Sequence, residues 1–123
     1  MQFKLAETYR YWWPVTVRVP DPETPGRFVK QGFRVLFEPL DREAQLAEAE
    51  KSAALKTMRE LVDHEIENAL RVVRNWEGVV GDDGILPFSE EMLKRALRHS
   101  WFRDGLQQAL KESLAGEEAR LGN

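Results

Sequence analysis

NWEGVVGDDGILPFSEEMLKRALRHSWF, residues 75–102, is where the chain changes direction most often, and its reading decides the fold. Trp76 closes an apolar helical stripe, and Gly78 follows it where a residue without a Cβ can take left-handed backbone and end a helix. Asp82, Asp83 and Gly84 form a tight-turn signal. Pro87 and Phe88 then lead into Ser89, Glu90 and Glu91, a helix start in which Ser89 accepts a backbone N–H and the glutamates complement the helix dipole. The new helix carries Met92, Leu93, Ala96 and Leu97 on one face as far as His99. Ser100 reads as the cap of a further helix opening with Trp101 and Phe102.

Upstream, Leu40 to Gly78 contains no internal glycine or proline and is rich in helix formers, with Asp41 placed as N-cap. Its stripe is Leu55, Met58, Val62, Ile66, Ala69, Val73 and Trp76, widened by Leu61 and Leu70, and that face is expected to be buried. A single helix over the whole span would be about 54 Å long at 1.5 Å per residue, more than a chain of this size needs. The expectation is a break near Ser52 or a helix projecting toward a partner. Downstream, Phe102, Leu106, Leu110 and Leu114 recur at four-residue steps beside Ala109. They predict a last helix that packs on the long stripe and ends at Gly116. EEARLGN, residues 117–123, reads as a mobile tail.

The N-terminal third has a different period. Tyr11, Trp13, Val15, Val17 and Val19 alternate with Trp12, Thr16 and Arg18, which predicts a strand with one buried face; Pro14 marks an edge, a bulge or the strand entrance. PDPETPG, residues 20–26, is a stiff connection to a second strand from about Phe28 to Phe37. There Phe33, Val35 and Phe37 share a face and Gly32 marks a bulge or close backbone approach. Because a lone hairpin is marginal in water, it must lean on a helix, a further strand or another subunit. Residues 1–5 alternate loosely and fit either a short strand or a frayed end. The fold expected is α+β: an N-terminal antiparallel hairpin over residues 1–38, with room for a third strand, then about four helices in a small bundle over 39–116, all in one domain.

Composition narrows the function classes. With 42% hydrophobic and 32% charged residues the chain is globular in type, and without cysteine it has no disulfide, thiolate metal site or cysteine nucleophile. No apolar run approaches the ~20 residues of a membrane span. Net charge is −3. The first 38 residues carry six Lys/Arg against four Asp/Glu, and the rest carry twelve against seventeen. That is a poor footprint for nucleic acid.

Chemistry-bearing motifs fail one by one. His64-Glu65-Ile66-Glu67-Asn68 has the spacing of a helical zinc motif but puts Asn68 where the second histidine must stand, which leaves a solvated histidine on the polar side of a helix. Residues 81–84 lack the alternate acids of a calcium loop, and Ser89 has no histidine in a recognisable motif beside it. No catalytic residue, metal ligand or cofactor site is predicted. The aromatics are more informative. Tyr11, Trp12 and Trp13 are consecutive on a strand and cannot share one core, so Trp12 is either covered by this chain or its oligomer, the favoured case, or exposed as an interface. Trp76, Phe88, Trp101 and Phe102 are expected to form the joint that fixes the short helices.

The order of features in residues 76–97 resembles the tail assembly chaperones of long-tailed bacteriophages and prophages. Trp76, Gly78, Val79, Asp82, Gly84, Leu86, Pro87, Phe88, Ser89, Glu91 and Leu97 carry the likeness, over about a quarter of the chain, and residues 11–22 and 33–43 look similar to many members too. The likeness implies a non-catalytic protein of the bacterial host cytoplasm, absent from the mature virion. In that family the chaperone binds the tape-measure protein, keeps it soluble and helps recruit tail-tube subunits, and some members also occur in a longer frameshifted form. A homo-oligomer is expected. Candidate partner-binding side chains are Tyr11, Trp12, Trp13, Phe33, Leu55 and Met58; the motif residues are read as structural. The chain departs from the family pattern in its highly charged first helix and in Gly81 before the acidic turn. Two other readings stand beside this one, a tail-completion or connector protein retained in the virion and a small regulatory protein-binding module.

Overall fold

The computed structural model describes residues 1–116, and the tail expected at 117–123 lies outside the described residues. Two ten-residue strands, β1 (Tyr11–Pro20) and β2 (Phe28–Phe37), pair in antiparallel register from Tyr11 opposite Phe37 to Pro20 opposite Phe28. The alternation holds: Val15, Val17, Val35 and Phe37 are buried, whereas Trp12, Arg18 and Arg34 face outward. β1 is an edge strand, where Pro14 and Pro20 cost no ladder bond.

Helix α1 (Arg42–Ala53) opens on Asp41, whose carboxylate accepts the Ala44 N–H at 2.8 Å. The chain then breaks over residues 54–57, just past the break expected at Ser52, and Thr57 caps α2 (Met58–Val72) by accepting from Glu60 N. The long stripe is therefore cut at both ends. Met58 is 74% exposed, and α2 stops at Val72 instead of running to Trp76. Residues Val73–Glu77 form β3, the third strand, antiparallel to β2.

The reason the helix expectation failed there is specific. In β3 Val73 lies opposite Phe37 and Asn75 opposite Leu36, so Arg74 is the extra residue of a bulge. The bulge lets Val73 and Trp76, three apart, both turn into the core, and an i, i+3 apolar pair is what a helix also produces. Gly78, at φ 85°, ends this strand rather than a helix.

A two-stranded ribbon, β4 (Val80–Gly81) and β5 (Gly84–Ile85), turns at Asp82 and Asp83 as predicted, with Gly84 at φ 113°. Ser89 caps α3 (Glu90–Ala96) through the Met92 N–H at 3.1 Å. Helix α4 (Ser100–Leu114) starts one residue earlier than expected: His99 is its N-cap and makes no side-chain cap bond, so Ser100 is the first helical residue. Phe102, Leu106, Ala109 and Glu112 are buried on α4, while Leu114 stays 49% exposed.

Over the described residues the fold is thus mixed α/β, a three-stranded antiparallel sheet in the order β1-β2-β3 and the β4-β5 ribbon with four helices. The expected bundle is corrected in two respects: the stretch 39–116, expected to be helical, contains β3, β4 and β5, and the last helix does not pack where it was expected to. α4 packs mainly on β1, not on the α2 stripe.

Candidate functional site

Gly105 sets the position of α4. A Cβ at that position would stand 2.7 Å from Val17 Cγ1 and 2.8 Å from the Thr16 carbonyl, so only glycine allows the helix this close to β1. At the opposite edge of the sheet, α2 runs straight into β3. The two helices are anchored to different edges and do not close on each other. Between them lies a small cleft of about 70 Å3 with Phe37 and Leu97 among its lining. Ala69 and Val72 line it from α2, Leu106 and Leu110 from α4, and Glu65 and Arg103 also border it. A second cleft of about 160 Å3 shares Asn68, Val72 and Leu110 with the first and reaches Leu40, Gln45 and Glu48. Together they make an open, mainly apolar groove with charge of both signs.

Three of the four residues expected at the joint build one wall of the fold. Trp76 meets Phe88 edge-on at 5.3 Å between ring centroids and Phe102 at 6.4 Å, and its indole N–H donates to the Leu86 carbonyl at 2.9 Å. Phe102 in turn stacks on Phe33 at 5.4 Å, tying β2 to α4. Trp101 is apart from this group and stacks on His99 at 4.8 Å. The motif residues Gly78, Asp82, Gly84, Pro87 and Ser89 supply the turns and the cap that bring Trp76 and Phe88 together.

The candidate partner-binding side chains do not gather into one patch. Tyr11, Trp13 and Phe33 belong to the inner face of the sheet, half-buried, and Tyr11 Oη lies 2.7 Å from Ser113 Oγ on α4. Trp12 lies on the outer face, 37% exposed, with the Arg34 guanidinium 5.4 Å from its ring centroid. Leu55 and Met58 flank the start of α2.

Sequence reading missed the ionic core between α1 and α2. His64, expected in solvent, is only 7% exposed, and its Nε2 is 3.0 Å from Glu48 Oε2. Glu48 also pairs with Arg71. No local signal announces this arrangement, because the partner comes from another helix; the only hint was the glutamate-rich composition of α1. Gly105 did carry a signal, since glycine inside a helix costs about 0.8–1 kcal/mol relative to alanine and so needs a packing reason. Beside β3, Glu38 accepts from Arg74 Nε at 2.7 Å and Arg10 Nε at 3.2 Å. The bonds from Arg74, then Arg10, hold its carboxyl below the usual carboxylate range.

Among the described residues, no group of three or more His, Asp or Glu side chains is placed to hold a metal ion, and no helix is long and apolar enough to cross a membrane. The class the fold defines is a small mixed α/β domain with an open interhelical groove. No protein-family model, curated protein or solved structure matches the chain.

Proposed function

We propose that this chain is a non-catalytic tail assembly chaperone, which holds amphipathic helical segments of a phage tape-measure protein in the groove between α2 and α4. The observation that carries this reading is the cleft itself: between α2 and α4 its floor is core, with Phe37, Val72 and Leu106 buried, while Leu40, Leu110 and Leu114 at its rim stay partly exposed. An amphipathic helix laid along that rim finds apolar contacts at Leu40, Leu110 and Leu114 and charges of both signs at Glu65 and Arg103. Two or three buried leucines of a client contribute about 1.5–3 kcal/mol each, and much of that is offset by the cost of association. Single contacts of this kind are weak and reversible. Many copies along one long client multiply them. The motif in residues 76–97 supports the same reading by its likeness to tail assembly chaperones. On this reading the protein acts in the bacterial cytoplasm, helps bring tail-tube subunits to the coated client and leaves before the particle is complete.

Co-expression with the tape-measure protein encoded nearby, followed by size-exclusion chromatography with light scattering, tests it. The expected result is a soluble complex with several copies of this chain, lost in a folded Leu110→Glu variant. A tape-measure protein that stays insoluble while this chain elutes alone overturns the proposal, and finding the chain in purified particles turns the reading to a tail-completion or connector protein.

A further inference from the structure

Residues 1–5 alternate Met1, Phe3 and Leu5 with polar Gln2 and Lys4, the period of a strand, yet they join no strand and these three side chains are 126%, 88% and 87% exposed. The sheet has a matching deficiency. β2 pairs with β1 along all ten residues, but β3 accompanies it only from Arg34 to Phe37, so among the described residues Phe28–Phe33 has a strand neighbour on one side alone. The other edges are closed to a long partner. β1 carries two prolines, and α4 presses against it at Gly105. β3 is five residues long and its Trp76 N–H is already bonded to Asn75 Oδ1 at 2.8 Å.

We infer that residues 1–5 of one copy add as a strand to the Phe28–Phe33 edge of β2 in a second copy of this chain. Donor and acceptor sit on the same polypeptide, and each is incomplete. The donor leaves its own sheet at Tyr11, which pairs with Phe37, the end of β2 remote from Phe28 and the end already flanked by β3. Within one copy it would have to cross β1 and β2 to reach the open edge, whereas between copies the approach is direct. Phe3 and Leu5 then extend the inner apolar face beside half-buried Val29 and Phe33. The far half of the hairpin, otherwise two strands deep, gains a third. Reciprocal exchange gives a two-fold dimer and one-way exchange gives a ring or chain; both rest on the same contact.

The inference stands apart from the chaperone reading, since it needs no client, and its test uses the full chain alone. Sedimentation velocity over a concentration series is expected to show the parent associating. Phe3→Asp with Leu5→Asp damages the donor only, and Gly32→Pro, at an exposed residue with room for a Cβ, blocks the acceptor edge only. Each variant, folded by circular dichroism, should run as a monomer, and an equal mixture should recover a dimer from the one intact donor and the one intact edge. Should Gly32→Pro fail to fold, amide exchange across residues 28–33 decides: protection at high concentration in the parent and its loss in the donor variant support the pairing. A parent monomeric throughout, a donor variant that associates like the parent, a mixture of folded variants that stays monomeric, or amide protection indifferent to the donor overturns it.

Discussion

Helices α1 and α4 are opposites. α1 has good helix formers and a capped start, yet none of its residues is buried. α4 has no side-chain cap and carries a glycine in its sixth position, yet Phe102, Leu106, Ala109 and Glu112 are buried. One helix is written in local preferences and the other in tertiary packing. Most helix stability in folded proteins comes from a buried face, so α4 should be part of the cooperative core and α1 a low-stability annex held by its cap and the Glu48 ion pairs.

Phe102→Ala strikes the α4 side of this contrast hardest. Loss of a ring that stacks on Phe33 and meets Trp76 should cost about 3–5 kcal/mol, read as a fall in the denaturant midpoint with little change in slope. Gly105→Ala should cost less, on the order of 1–3 kcal/mol from overpacking against Val17 and the Thr16 carbonyl, partly offset by about 1 kcal/mol of helix propensity. A stabilised variant would show that α4 does not need its close approach to β1. Asp41→Ala should have the smallest global effect. Losing the cap is worth about 0.5–2 kcal/mol of helix stability, and because α1 buries nothing the loss should appear as faster amide exchange confined to residues 42–53 while the global midpoint barely moves. A global loss as large as that of Phe102→Ala would erase the distinction between the two helices.

The same contrast explains what could be read in the sequence. The hairpin was legible because alternation, Pro14 and the proline-rich connection are local features, and the caps at Asp41 and Ser89 were legible for the same reason. Helix was read through Trp76 because a bulge at Arg74 imitates helical spacing, and only the pairing with β2 distinguishes the two. His64 was misplaced because its partner Glu48 comes from α1, sixteen residues earlier. The groove was invisible for a further reason: its width depends on where α4 comes to rest, and that is set by the steric demand of one hydrogen-sized side chain against β1.

Val72 is the last residue of α2 and Val73 the first of β3, with no linker between them, and Val72 O accepts the Glu38 N–H at 2.8 Å. A hinge needs slack, and this junction has none. The wall of the groove formed by α2 is therefore levered directly from the sheet: on the proposed reading, a client that wedged the helices apart would also apply torque to β3 and, through Trp76, to the aromatic wall behind it. Occupancy of the groove and the set of the sheet are mechanically one variable.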